Sequence, residues 1–313
     1  MILKSKKAGA NAVKIQSYVT SEVVIKTAQI AKYQKINIKN RILKQYDLLK
    51  KYELSFDQQK ELYRFSKLHK IDFLSSAFDL DSLNFIKKLN LKYFKIPSGE
   101  ITNFQLLSKY SEMKKKIILS TGMSNLNDIR NALNVLIKKK NVLKNITLLA
   151  CNTDYPTKIS DINLRSIKFL KKKFKCNVGY SDHSISIEAP ALAVALGAKV
   201  IEKHVTLDRK LSGPDHKASL NFKEFKSMID LIRKTEIMLG SEDKKVSRSE
   251  NKNIFFSRRS IFAKTKIMKG DIFTHNNLVC KRPLKGVPAS KFLVYLGKKS
   301  KYNYFINDII KTQ

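Results

Sequence analysis

The 313-residue sequence has no tryptophan, six prolines, ten glycines and three cysteines, and it sets only 26 acidic side chains against 62 lysines and arginines. Each shortage excludes something. So little glycine and proline rules out collagen-like and low-complexity polymers. Cys151, Cys176 and Cys280 are too few and too unevenly spaced for a disulfide framework or a zinc cage, so free thiols in a reducing compartment are expected. No stretch approaches the ~20 apolar residues of a membrane span. The basic start, Met1 to Lys7, runs into Ala8-Gly9-Ala10-Asn11 rather than an apolar core, unlike a secretory signal. A cytoplasmic chain with no membrane partner is expected. The scarcity of acid leaves a formal net charge of +36. That number invites a nucleic-acid partner, but the lysines gather in short clusters at 114–116, 138–140 and 171–173 with no interleaved aromatic platform on which bases would stack. A solvated basic surface that attracts anionic substrates is the better reading, with no nucleic acid bound.

What is present is a rhythm. Short apolar runs at 12–16, 72–78, 93–98, 116–121, 146–151, 177–182 and 200–205 alternate with amphipathic stretches at 55–70, 81–89, 125–139, 162–173, 187–197 and 222–239. Asp81, Asn125 and Asp161 stand where helix-capping residues belong. Strand, helix, strand at this spacing implies parallel βαβ units, in a doubly wound sheet or a (β/α)8 barrel. The fold expected is an α/β TIM barrel over residues 1–240 that lacks its first strand, because the chain opens in the tail of a helix. Residues 17–52 are too long for an ordinary connection and read as an excursion over the mouth. Charged residues 241–254 form a linker, and 255–313 a small β-rich domain of short apolar pieces and turn signals.

In a parallel barrel the chemistry sits at the carboxyl ends of the strands. There the sequence places Lys14 and Gln16, Ser75 and Ser76, Lys95 and Ser98, Ser120 and Thr121, Asn152, Thr153 and Tyr155, Ser181, Asp182 and His183, and Glu202, Lys203 and His204. Hydroxyls and lysines converging on one mouth suit a phosphate and a carboxylate. Of five histidines, His183 and His204 close adjacent strands, as a pair of ligands to a divalent cation would; alternatively each simply hydrogen-bonds a neighbour. The Ser-Gly and Thr-Gly turns after 98 and 121 are loop punctuation singly and a phosphate cradle together. The turn at 212–216 presents Asp215 either as a proton carrier or as a structural cap.

The stretches GANAVKIQ (9–16), KIPSGEITN (95–103), CNTDYPT (151–157), GYSDHS (179–184), EKHVTLD (202–208), GPDHKASL (213–220) and RRSI (258–261) occur in order from Gly9 almost to the end. Together they resemble the sialic acid synthase family, which makes N-acetylneuraminate, legionaminate and pseudaminate with a barrel followed by an antifreeze-like (SAF) domain. The resemblance implies a transferase that condenses phosphoenolpyruvate with N-acetylmannosamine and water and releases phosphate. The alternatives it carries are a di-N-acylated trideoxy sugar as acceptor, or an inactive relic. It implies phosphate on Ser76, Lys95, Ser98 and Ser120, and carboxylate on Lys14, Thr153 and Ser181. The sugar would meet Tyr155, Glu202, Asp215, Phe256 and Arg282, the last two reaching across a domain-swapped homodimer. Glu202, Asp215 and Lys95 would be catalytic, and His183 and His204 would hold Mn²⁺, or else Mg²⁺ or Co²⁺. Ser186 and Leu284 stand where such relatives usually have glycine, so tightened or strained turns are expected at both.

Overall fold

The computed structural model describes residues 1–38, 44–113, 115–138 and 142–312. Seven parallel strands form one sheet in sequence order: β1 Ala12–Ser17, β2 Asp72–Ala77, β3 Tyr93–Ile96, β4 Lys116–Ser120, β5 Ile146–Cys151, β6 Asn177–Asp182 and β7 Ile201–Lys203. Each pairs with the next, and β1 and β7 are not hydrogen-bonded to each other. The sheet is therefore a curled parallel sheet with two ends rather than a closed ring.

Strands form here because alternate residues bury against different partners. On the outward face Ile117, Leu119, Ile146 and Leu148 are fully buried against helices such as Leu126–Ile137 and Arg165–Phe174, in the main core. On the inward face Leu74, Ile118 and Leu149 make a small apolar layer with Tyr93 and Val200. Toward the carboxyl ends the inward residues are Gln16 and Ser76 on β1 and β2, Lys95, level with Ile118, on β3, and the row Cys151, Ser181 and Glu202 from β5 to β7. An apolar floor thus supports a polar rim.

Local chemistry fixes the helix ends. Ser55 with Gln58, Asn125 with Asp128 and Asn221 with Glu224 are reciprocal caps, and the last begins the 18-residue helix Phe222–Leu239. Two expected caps are corrected. The helix after β2 starts at Leu80 and is capped by Asp79, whose carboxylate accepts from Ser82 N at 2.7 Å, not by Asp81. Asp161 ends a 3-10 turn, Ile159–Asp161, and the helix waits until Arg165 because Asn163 takes a left-handed φ of 48°. A helix the sequence reading passed over, Phe104–Ser111, joins β3 to β4. β3 ends at Ile96, two residues early, because Pro97 cannot donate to the ladder. Residues 39–43 of the excursion, Lys114, Lys139 and Lys140 lie outside the described residues.

The excursion contains short helices Thr20–Val23, Lys32–Asn37 and Gln45–Tyr52 around a core of Ile30, Ile38 and Leu48. Asn37 Nδ2 donates to Pro214 O at 2.8 Å and Tyr155 O at 3.4 Å, and Tyr52 OH donates to Ser212 O at 3.2 Å. Three contacts tie it to the loops after β5 and β7.

Residues 241–313 are a second compact unit. Residues 241–254 are not a bare linker: Arg248–Asn251 is helical with a Ser247–Glu250 capping box, and a further turn starts at Ile254. The unit is less strand-rich than expected. Its one ladder among the described residues pairs β8, Ser260–Ala263, with β9, Leu278–Lys281, antiparallel, and the apolar piece at 292–296 is a helical turn, Phe292–Tyr295. Ile261, Ile267, Phe273, Leu278 and Ile310 form its core.

Ser186 and Leu284 both keep ordinary negative φ, so the strain expected there is absent. Ser186 Oγ instead accepts from the N–H groups of Glu188 and Ala189 and so caps the helix Glu188–Ala195.

Glycine 179 is required by packing: a Cβ there would lie 2.4 Å from Val200 O and 2.5 Å from Leu149 Cδ2, whereas one at Gly99 meets nothing within 4 Å. Gly179→Ala is expected to cost about 1–3 kcal/mol in denaturant unfolding. Gly99→Ala should leave the midpoint nearly unmoved.

Candidate active site

The polar rim carries its own counter-charges. Lys95, buried on β3, donates to Ser120 Oγ at 2.8 Å and to Ile96 O at 3.0 Å. Burial lowers its ammonium to about 8, against the opposing pull of Glu202. Glu202 Oε1 lies 3.3 Å from Lys14 Nζ and 3.9 Å from Lys95 Nζ, and accepts from Ser181 Oγ at 3.1 Å. Burial pushes the Glu202 carboxyl up, but Lys14, Lys95 and the two histidines outweigh it and hold the group down to about 2. Two ammonium groups share one carboxylate, which leaves positive potential in a site of low dielectric.

Beside them a cradle opens. Ser98 Oγ accepts from Gly122 N at 3.0 Å, in a turn so close that a Cβ on Gly122 would fall 2.6 Å from Thr153 Cγ2 and 2.8 Å from Ser98 Oγ. Ser76 Oγ, on the strand next to Lys95, is fully buried with no hydrogen-bond partner among the described residues. A buried orphan hydroxyl costs free energy unless something fills the space before it, so it points to a ligand.

On the other side are the imidazoles. His183 and His204 lie edge to face with ring centroids 5.2 Å apart, and Tyr155 stacks on His183 at 4.1 Å. His183 Nδ1 faces Asn152 O, which can only accept, so the lone pair sits on Nε2, 3.2 Å from Tyr155 OH. Burial lowers His183 to about 4 and His204 to about 3, keeping both neutral at physiological pH, as a metal ligand must be. Among the described residues no group of three His, Cys, Asp or Glu side chains forms a fuller cage. Two neutral imidazoles therefore suit a divalent cation that keeps oxygen ligands from water or substrate in its remaining positions. Asp215 Oδ2 stands 3.8 Å from His204 Nδ1, and burial raises its carboxyl toward the protonated form.

The structure thus brings together Lys14, Ser76, Lys95, Ser120, Ser181 and Glu202 on the inward rim, with Ser98, Thr153, Tyr155, His183, His204 and Asp215 on the loops around them. Four strand-end residues do not join: Asp182 and Lys203 pair with each other on the opposite parity of β6 and β7, Ser75 turns from Ser76 to meet Ser17 Oγ, and Thr121 Oγ1 donates to Leu149 O, because successive side chains alternate faces. Phe256 and Arg282 belong to the second unit. There Phe256 is exposed and meets Phe255 edge to face, and Arg282 Nε donates to Ser257 O at 2.9 Å. The sequence reading missed Cys151, 3.7 Å from Ser98 Oγ, and Asn37. Alternation along β5 marks the first; nothing local marks the second, whose partners are more than a hundred residues away.

Residues 1–244 match the model of the NeuB family. The chain belongs to the NeuB family. This NeuB chain is 46% identical over 304 residues to the N,N'-diacetyllegionaminic acid synthase of Campylobacter jejuni, covering 97% of itself and 91% of that protein. A pseudaminic acid synthase of the same species is 34% identical over 99% of this chain and 91% of its own length. Among solved structures, the N-acetylneuraminic acid synthetase of Leptospira borgpetersenii superposes with a TM-score of 0.70 at 33% identity, covering 81% of this chain and 83% of that one. The NeuB relatives are thus synthases of sialic, legionaminic and pseudaminic acids.

If the rim is an anion cradle, sulfate, which keeps its double charge at these pH values, should bind it. Sulfate affinity measured by calorimetry is expected to fall as pH rises through about 8, where free Lys95 loses its proton. Lys95→Met should bind weakly at every pH, and a flat profile in the unmodified protein would remove Lys95 from the cradle.

Proposed function

We propose that the protein is a nonulosonic acid synthase that joins phosphoenolpyruvate to the open-chain aldehyde of an N-acylated amino sugar, adds water and releases phosphate by C–O cleavage. The observation that carries this reading is the pairing, at one end of the sheet, of an orphan buried hydroxyl and two lysines on β1 to β3 with two neutral imidazoles at the ends of β6 and β7, the lysines and imidazoles meeting at Glu202. One half suits a phosphorylated acid and the other an aldehyde oxygen.

In this reading Ser76, Lys95, Ser98 and Ser120 hold the phosphate, and Lys14, Thr153 and Ser181 hold the carboxylate. Fixing both anionic ends aims the enol carbon and removes much of the entropic cost of a bimolecular encounter. His183 and His204 would hold a divalent cation, Mn²⁺ with Mg²⁺ or Co²⁺ as substitutes, which would supply Lewis-acid polarisation of the aldehyde when bound. Asp215, whose carboxyl burial raises and which stands 3.8 Å from His204 Nδ1, is the group placed to pass a proton to the oxygen that becomes a hydroxyl. Glu202 remains ionised and faces the carbon on which positive charge develops before water adds. Lys95 neutralises the phosphate as its bond to carbon breaks. Tyr155, Glu202 and Asp215 bind the sugar. Arg282 and Phe256 of the second, antifreeze-like unit complete the sugar site of a second copy in a homodimer, a part of the proposal that rests on sequence resemblance.

The test is phosphate release from phosphoenolpyruvate with Mn²⁺ and acceptor. Release is expected to require the sugar, to stop with chelator and to fall about 10²–10⁴-fold in Asp215→Asn. His183→Ala should abolish it. Sugar-independent or chelator-resistant release would sink the reading.

The sequence stretches 151–157 and 213–220 resemble N-acetylneuraminate and legionaminate synthases more than pseudaminate synthases, which puts N-acetylmannosamine first as acceptor, whereas 46% identity to a diacetyllegionaminic acid synthase supports a di-N-acylated trideoxy sugar. Competing the two at equal concentration separates them. Faster consumption of the trideoxy sugar assigns the second reading, and faster consumption of N-acetylmannosamine the first.

A further inference from the structure

We propose that the Lys203–Asp182 ion pair is a positioning device for the two imidazoles, acting on them from the back of the sheet. The inference rests on the reading of His183 and His204 as a cation site. Asp182 and Lys203 are register partners at the ends of β6 and β7, and each immediately precedes one of the histidines. Their side chains are 0% and 1% exposed, on the face away from the rim, so neither touches substrate.

The pair is saturated with bonds, three of which hold the turn after β6. Lys203 Nζ lies 2.5 Å from Asp182 Oδ2, 2.6 Å from Ser184 O and 3.1 Å from Ser186 O, which uses all three of its N–H donors. Asp182 Oδ1 accepts from Ser184 N at 2.9 Å and from Tyr180 OH at 3.0 Å. Ser184 is therefore held by its N–H through Asp182 and by its carbonyl through Lys203. It is the residue directly after His183, whose ring is held in turn by Asn152 O. The same pair joins the strand of His183 to the strand of His204, and so fixes the spacing between them.

Stability alone is a poor reason for such a pair. Desolvating two charges offsets most of their attraction, and well-packed apolar replacements are often as stable. What an apolar pair cannot do is hold two carbonyls and an amide in fixed directions. Groups that orient metal-binding histidines typically change affinity about 10–100-fold when removed.

The experiment measures Mn²⁺ binding to the full chain from the electron paramagnetic resonance signal of free Mn²⁺, with sulfate affinity measured on the same samples. Two variants are compared with the parent: Tyr180→Phe, which removes one hydrogen bond to Asp182 and buries no new charge, and the charge-free double variant Asp182→Asn with Lys203→Met. Mn²⁺ affinity is expected to fall about 10–100-fold in the double variant and a few-fold in Tyr180→Phe, with sulfate affinity held within about two-fold in both. Unchanged Mn²⁺ affinity in the variants overturns the proposal, as does a parallel loss of Mn²⁺ and sulfate, which would mark the pair as general support for the sheet. Should the double variant fail to fold, Tyr180→Phe decides by the same two readings. A parent chain that binds no Mn²⁺ defeats the cation reading itself, and is told apart from failure of the positioning role because the parent alone shows it.

Discussion

The site in residues 1–240 turns on one buried carboxylate, Glu202, being shared by Lys14 and Lys95 while two neutral imidazoles stand beside it. A buried ammonium without a partner would shed its proton, and burial already brings Lys95 down to about 8. Glu202 keeps it charged without cancelling it. One negative charge between two positive ones leaves the site attractive to a doubly charged anion, and the apolar layer of Leu74, Ile118 and Leu149 beneath the rim keeps that attraction from being screened.

Much of this was legible before any coordinates. Buried parallel strands read as short apolar runs, and all seven runs appear as strands, trimmed where Pro97 or a loop ended pairing. The rim residues were legible because a parallel α/β sheet offers chemistry at one end only. Failures have local causes. Asp79 and Asp81 are both acceptable caps, and which one is used depends on where β2 releases the backbone, a tertiary fact. Phe104–Ser111 is eight residues long, too brief for its periodicity to stand out from Ile101 and Thr102 before it. The mistaken grouping of Asp182 and Lys203 with the rim was avoidable: a period of two puts Ser181 and His183 on one face and Asp182 on the other. Asn37 was not legible at all, since its partners at 155 and 214 become neighbours only when the excursion folds over the strand ends.

The sheet's two ends raise a separate problem, because an edge strand presents unpaired backbone groups. Residues flanking both ends meet in one apolar cluster. Ala8 and Ala10 before β1 pack with Ile201 of β7, Val205 after it, and Phe225, Met228, Ile229 and Ile232 of the helix Phe222–Leu239. Arg233 adds a hydrogen bond to Asn11 Oδ1 at 3.1 Å. The two ends are thus linked through side chains and a helix rather than through a strand ladder. That link is less rigid than hydrogen-bonded neighbours, and Lys14 and Glu202, which face each other at 3.3 Å, sit on those two end strands.

The placement of the Lys14–Glu202 contact gives that salt bridge a second consequence. It closes the charged rim between strands that share no ladder, so the geometry of the site depends on an electrostatic tie where the rest of the sheet relies on backbone pairing. Its groups are only 22% and 16% exposed, well shielded from salt, which favours its persistence.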